Sequence, residues 1–168
     1  DADLGMMKGT AVLSRLLICI GAQKAATTFT DRCFRKHPGL DLCVDKEVHY
    51  FDACHAPRSP LTRRRDHVRK LLEHDPASLE DYQGGVDLED PEIRRKVYNY
   101  VYGEVGDSWY RGNFSDAEGR WPVDVTPAYA SLPEAAFEHM RRISNDTRIL
   151  FVLRDPVARI WSQIRSMH

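Results

Sequence analysis

The sequence predicts an α/β fold: a mainly parallel β-sheet flanked by helices. Three observations carry this. Residues 15–20 read as a strand in which Leu-Leu-Ile-Cys-Ile follows Arg15 without alternation, as expected of a strand covered on both faces. A glycine-led loop, a helical stretch and a second short apolar run at 40–44 follow, the order of a βαβ unit. Residues 149–153 (Ile-Leu-Phe-Val-Leu) form another continuous run, and Asp155-Pro156 opens a helix directly after it.

The elements can be read in order. Gly21 ends the first strand, and a helix starts near residues 26–28, runs to Lys36 and is stopped by His37-Pro38-Gly39. Residues 60–73 predict a helix with Ser59 as N-cap and Pro60 at its first position, its apolar face being Leu61, Val68, Leu71 and Leu72. Arg63, Arg64 and Arg65 on that helix are either a solvated face or a contact for an anionic acceptor. Residues 82–90 read as loop, and 91–101 as a helix with Ile93, Val97 and Tyr100 on one side. Residues 112–119 are polar and turn-rich, and 121–125 are a short strand. Ser131 to Glu134 has the spacing of a capping box, opening a helix with Ala136, Met140 and Ile143 inward. The run at 149–153 reads as a central strand. The last helix carries Val157, Ile160, Trp161 and Ile164 on its apolar side.

With 168 residues the chain suits one domain, residues 1–168, around one core. Its formal net charge of −1 provides no global field to draw it to nucleic acid or a membrane, so any anion site is built locally. The longest apolar run, residues 16–20, falls short of the about 20 residues that span a bilayer. The start at Asp1 and the unfinished last helix read as a piece of a longer protein. Cys19, Cys33, Cys43 and Cys54 include no CxxC pair of the kind a zinc site shows, and they are expected to be buried thiols.

Gly21-Ala22-Gln23-Lys24-Ala25-Ala26-Thr27-Thr28 lies between strand and helix. Unpaired backbone N–H groups and the helix dipole favour an anion there. Gly21, Ala22, Ala25 and Ala26 let the backbone come close to a phosphate, Lys24 adds a point charge, and Thr27 and Thr28 add hydroxyls. The nucleotide-kinase pattern G-x-x-x-x-G-K-[ST] does not fit, because its glycine would fall at Ala26 and its lysine at Thr27. The segment resembles instead the 5′-phosphosulfate loop, G-x-x-K-[AGS]-[AG]-T-[ST], of sulfotransferases that use 3′-phosphoadenosine 5′-phosphosulfate (PAPS).

The second motif is Arg154-Asp155-Pro156-Val157-Ala158-Arg159-Ile160-Trp161-Ser162. A strand delivers Arg154 at its C-terminal end, the edge where open α/β sheets bind ligands, beside a helix start. An arginine and a hydroxyl together suit a phosphate monoester. The segment is similar to that family's 3′-phosphate motif, R-[DN]-P-x-x-R-x-x-S, at every fixed position. The resemblance implies that Arg154 and Ser162 hold the 3′-phosphate, with Arg159 in a structural or neighbouring role.

Lys46-Glu47-Val48-His49-Tyr50-Phe51-Asp52 is similar to the K-E-x-x-F-F segment of carbohydrate sulfotransferases, especially those acting on heparan sulfate. The resemblance implies Glu47 as general base and Lys46 beside the sulfuryl group. A sugar hydroxyl needs such a base, being a poor nucleophile until its proton is leaving. His49 is a second candidate base or a packing histidine. Asp124-Val125-Thr126-Pro127-Ala128-Tyr129 resembles the family's E-K-[ST]-P-x-Y, but Asp124 replaces glutamate and Val125 stands where lysine is common. Trp109, Tyr110 and Tyr129 either stack on sugar rings or belong to the core.

The resemblance spans residues 16–168 and implies a P-loop-like topology. It also implies metal-free, in-line sulfuryl transfer from PAPS to a hydroxyl or amine, with a glycan or small molecule as acceptor. Lys24 and Glu47 would be the catalytic pair. Cofactor binding would fall to Gly21, Lys24, Ala25, Ala26, Thr27, Thr28, Arg154 and Ser162. Lys46, His49, Trp109 and Tyr129 would be on the acceptor side. It would place a eukaryotic carbohydrate enzyme in the Golgi lumen, and other members in the cytoplasm. Two rival readings are a P-loop nucleotide kinase or NTPase, and a non-catalytic relative that has lost activity.

Overall fold

A computed structural model describes residues 12–82, 85–115 and 119–166. In chain order the elements are β1 (Leu13–Gly21), α1 (Thr27–Arg35), β2 (Leu40–Leu42), α2 (Tyr50–His55), α3 (Leu61–His74), α4 (Ser78–Asp81), α5 (Pro91–Tyr102), α6 (Asp107–Gly112), β3 (Trp121–Val125), α7 (Glu134–Arg142), β4 (Ser144–Phe151) and α8 (Pro156–Ile164). A 3-10 turn, Pro127–Ser131, follows β3. The strands are ordered β2-β3-β1-β4 and all their pairings are parallel. The predicted α/β class, a parallel sheet between helices, is the observed one.

β1 reads as an unbroken apolar run because both of its faces are covered. Leu16, Ile18 and Ile20 enter the main core, while Cys19 and Leu17 pack in a smaller cluster with Phe34 of α1 and Val123 and Val125 of β3. The main core is aromatic at its centre. Tyr50 and Tyr110 stack at 5.0 Å, and Phe51 meets Tyr129 edge-on at 5.4 Å. Two cations serve structure there. Lys96 of α5 is buried and paired with Asp41 of β2, whose other oxygen accepts from Ser115 N at 2.6 Å. Arg65 of α3 donates to the carbonyls of Tyr100, Val101 and Gly103 at the end of α5, and lies over the Trp109 ring. Such a guanidinium satisfies carbonyls that a helix end leaves without partners.

Four expectations are corrected. The strand expected to be central at 149–153 is an edge strand. Among the described residues β4 pairs with β1 alone, and Ile149 and Phe151 are 45% and 46% exposed. It begins earlier, at the polar Ser144, because backbone pairing with Leu13 and Arg15 of β1 defines a strand there whatever its side chains. The apolar side of α8 is likewise exposed at Val157, Ile160, Trp161 and Ile164. The capping box does not form. Ser131 Oγ instead donates to Ala128 O in the 3-10 turn, and Pro133 occupies the N-cap of α7. Cys19 and Cys43 are buried thiols as expected, but Cys33 and Cys54 are exposed, the former because the Phe29 face of α1 points to solvent.

The remaining boundaries shift little. Ser59 Oγ accepts from Leu61 N at 3.3 Å at the start of α3, with Pro60 as the N-cap residue. Asp90 caps α5 by accepting from Glu92 N at 2.7 Å. No helix of the described residues is long and apolar enough to cross a membrane.

Candidate active site

The loop after β1 is fixed at both ends. Ala22 N donates to Val152 O at 3.0 Å and Val152 N to Gly21 O at 2.7 Å, so the loop starts from the last rung of the sheet. Gly21 has φ 141, a conformation side chains disfavour, and a Cβ there would lie 3.1 Å from Pro127 O. Lys24 and Ala26 are left-handed, at φ 62 and 63. Ala26 is the N-cap of α1, with no side-chain cap and no acidic residue in the first turn. Consequently the first N–H groups of α1 remain available to an anion. The Lys24 ammonium has no hydrogen-bond partner among the described residues.

Arg154 connects this loop to the second motif. Placed just after β4, it donates from Nη1 to Lys24 O at 2.9 Å, across 130 positions of sequence. Asp155 Oδ1 accepts from Ala158 N at 2.8 Å, and Pro156 occupies the first position of α8, as the sequence predicted. Two adjoining clefts result. One, of about 470 Å³, is lined by Ala22, Ala130, Phe151, Leu153, Arg154 and Arg159, among others. The other, of about 320 Å³, is lined by Lys24, Ala26, Thr27, Thr28, Lys46 and Glu47, with Gln163 of α8 and Ser166 just past its end. Gln23 and Pro127 border both. Ser162 is half-buried on α8 and lines neither cleft, whereas Arg159 does.

The loop that carries Lys46 and Glu47 meets the loop after β1 directly. Lys46 Nζ donates to Thr28 Oγ1 at 3.0 Å and to Glu47 Oε1 at 3.1 Å. His49 stands between two carboxylates, with Nε2 3.4 Å from Glu47 Oε2 and Nδ1 2.7 Å from Asp52 Oδ2. The His49 hydrogen bond holds the Glu47 carboxyl down at about 2, against burial, and Lys46 adds to the effect. Burial pulls the His49 imidazole down, but the hydrogen bonds to Asp52 and Glu47 outweigh it and raise it to about 9. At neutral pH His49 is therefore an imidazolium beside the Glu47 carboxylate. Arg64 Nη2 donates to Lys46 O, and its guanidinium pairs with Asp45 through two further bonds of 2.9 and 2.7 Å.

Among the described residues, four non-glycine residues have positive φ: Lys24, Ala26, Glu47 and His49. All four lie in these two facing loops. Left-handed backbone costs such residues about 1–2 kcal/mol each, and strain of this kind concentrates where function holds a geometry in place.

For the aromatic residues the structure selects the core. Trp109 is 2% exposed, and Tyr110 and Tyr129 are fully buried. Tyr129 braces the loop from behind: its hydroxyl accepts from Tyr50 N at 2.9 Å and donates to Asp124 Oδ2 at 3.2 Å. Asp124 is fully buried, and burial pushes it up to about 6 against hydrogen bonds from Thr126, Tyr110 and Tyr129. Val125 packs with Cys19 and Val123, so this position contributes no cation. Sequence reasoning gave no role to Asp52, Gln23, Gln163 and Ser166, and read Arg64 only as part of a basic run, a solvated face or an anionic contact. The spacing of His49 and Asp52, three apart at a helix start, was a signal for the first. For Gln163 the signal was its position on the helix that Asp155 opens. Among the described residues no group of three or more His, Cys, Asp or Glu side chains is placed to hold a metal ion.

A family model described as "Sulfotransferase family" matches residues 17–168. Among solved structures, the sulfotransferase domain from the olefin synthase of Synechococcus PCC 7002 is similar, with TM-score 0.54 and 18% identity. The match covers 91% of this chain and 53% of that one, so the chain spans about half the length of that domain. No curated protein matches.

Proposed function

Because the chain belongs to the sulfotransferase family, we propose that it moves a sulfuryl group from PAPS to a hydroxyl or amine of an acceptor, a carbohydrate first among the candidates. The observation that carries this reading is convergence. Two anion-binding segments from opposite ends of the chain border adjoining clefts, joined by the Arg154–Lys24 hydrogen bond, and the Lys46–Glu47 pair faces the same space.

Each residue has a role under this reading. The N–H groups of Thr27 and Thr28, with their hydroxyls, receive the 5′-phosphosulfate at the start of α1, where the helix dipole favours it. Gly21, Ala25 and Ala26 keep that approach free of side chains. Arg154 and Arg159 are the cations of the larger cleft and receive the 3′-phosphate. Ser162 completes the sequence motif, but its place outside both clefts leaves the main contact to the arginines.

The acceptor oxygen forms a bond to sulfur while the bond from sulfur to the bridging oxygen of the phosphate breaks. Lys24 stabilises the charge growing on that bridging oxygen, and 3′-phosphoadenosine 5′-phosphate (PAP) departs. Glu47 takes the acceptor's proton. Held near 2, its carboxyl is a weak base and takes the proton late, once the oxygen is bonded to sulfur and its proton has become strongly acidic. Lys46, shared between Thr28 and Glu47, spans the donor and acceptor loops. His49 and Asp52 hold the Glu47 carboxylate in place. The test is turnover of labelled PAPS with a panel of saccharide acceptors. Lys24→Ala should lower the rate about 10²–10³-fold, the size of one lost transition-state contact, with the far-UV spectrum unchanged. Equal turnover would refute the role of Lys24.

A further inference from the structure

Away from the clefts, two half-buried histidines meet where α2, α6 and α7 come together. His55 Nε2, at the end of α2, lies 3.0 Å from His139 Nδ1 of α7. His139 Nε2 lies 2.7 Å from Asp107 Oδ1 of α6, which also accepts from the Tyr50 hydroxyl at 2.6 Å. The hydrogen-bonded chain Tyr50–Asp107–His139–His55 therefore begins and ends on α2. The His139 ring is seated edge-on against Tyr50 and Phe51, at 5.6 and 5.1 Å.

The proton positions follow from the acceptors. Burial pushes the Asp107 carboxyl up, but the hydrogen bonds from Tyr50 and His139 outweigh it and hold it below its ordinary value. An ionised carboxylate only accepts, so His139 Nε2 carries a proton. With both rings neutral, His55 Nε2 donates to His139 Nδ1. One added proton, on either ring, still leaves one donor and one acceptor between the facing nitrogens. A second makes both nitrogens donors and sets two imidazolium charges against each other, so the bond is lost.

The surroundings oppose that second proton. Burial lowers the His55 imidazole from its ordinary 6.5, and the charges of His139 and Arg142 add to the effect. Arg111 Nη1, 4.0 Å from Asp107 Oδ2, competes for the same carboxylate. Burial raises the Cys54 thiol beside Tyr50, which stays neutral. Asp52, one turn before His55, is engaged by His49. A base lowered by folding weakens the fold as pH drops below 6.5, because the unfolded chain takes the proton first.

We propose that Asp107, His139 and His55 form an acid-released latch, which ties the end of α2 to α6 and α7 at neutral pH and opens when both histidines are protonated. The start of α2 is held separately, by Tyr50 N donating to Tyr129 at 2.9 Å. Asp52 holds His49, and His49 holds Glu47, so opening the latch loosens the turn that supports Glu47. The latch involves no bound molecule and does not depend on which group the protein transfers.

Nuclear magnetic resonance of the whole chain tests this. The imidazole nitrogens of His55 and His139, assigned by the signals lost in His55→Phe and His139→Phe, should titrate as a coupled pair in two separated steps, the second below 6.5. Amide exchange supplies the mechanical readout. Between pH 7.5 and pH 4.5, protection of the α2 amides relative to those of α1 should fall about tenfold, the factor one proton carries over one pH unit. His55→Phe keeps a ring in a half-buried place but removes the nitrogen. It should show the lower protection at both pH values. Two independent titrations near 6.5, or unchanged relative protection in the wild type, would overturn the proposal. So would a wild-type pH response in His55→Phe.

Discussion

His49 should make the stability of this protein fall as pH rises through 9. The perturbation is deprotonation of an imidazolium held between Glu47 and Asp52. Its folded value, about 9, lies above the ordinary 6.5. For a base raised in this way the stabilisation is fully present below 6.5 and is lost as pH rises toward and through 9. At about 1.4 kcal/mol per pH unit, the interval corresponds to about 3 kcal/mol. The depressed value of Glu47 reflects the same pair and is not added to it. Urea unfolding between pH 6 and pH 10 measures the loss. His49→Gln removes the titrating group, so the difference between wild type and variant should shrink by about 3 kcal/mol across that window. Parallel curves for the two proteins would refute the reasoning.

Other substitutions probe the frame around the site. Lys96→Ala leaves Asp41 buried without its cation and should cost about 3–5 kcal/mol in urea unfolding. Lys96→Met, which replaces buried charge by apolar volume but still strands Asp41, should not rescue it unless Asp41→Asn is added. Arg65→Ala removes three hydrogen bonds and the contact over Trp109 at the end of α5. It should lower stability by about 2 kcal/mol. Arg65→Lys should recover only part, since an ammonium lacks the planar fork that reaches several carbonyls. Gly21→Ala places a Cβ at 3.1 Å from Pro127 O in a conformation side chains avoid. It should cost about 1–3 kcal/mol and, because Pro127 borders both clefts, weaken PAP binding in calorimetry.

The parts of the fold that were legible in the sequence are those set by local chemistry. β1, the glycine-led loop, β3 and the Asp155-Pro156 helix start all appear where residue type and spacing placed them. What was hidden depends on long-range packing. The apolar run at 149–153 looks the same whether a strand is central or at the edge, and only the pairing of β4 with β1 decides. Nothing in the sequence marks Lys96 as the buried partner of Asp41, far away in sequence. Ser131 and Glu134 have capping-box spacing, but Ser131 is taken up by the 3-10 turn before them and Pro133 occupies the N-cap. In the site, Lys24 and Glu47 were visible as motif residues. Arg64 could not be placed, because its bonds to Asp45 and Lys46 join α3 to a loop across an intervening helix.

The central claim is that the two phosphate segments form one site for a nucleotide phosphorylated at both its 5′ and 3′ positions. Calorimetry of the protein with PAP, against ATP with and without magnesium, tests it most directly. The account predicts that PAP binds more tightly than ATP, that magnesium adds nothing, and that the preference collapses in Arg154→Ala, which loses both a cation of the larger cleft and the bond to Lys24 O. A preference for ATP with magnesium, or a preference for PAP untouched by the loss of Arg154, would contradict it.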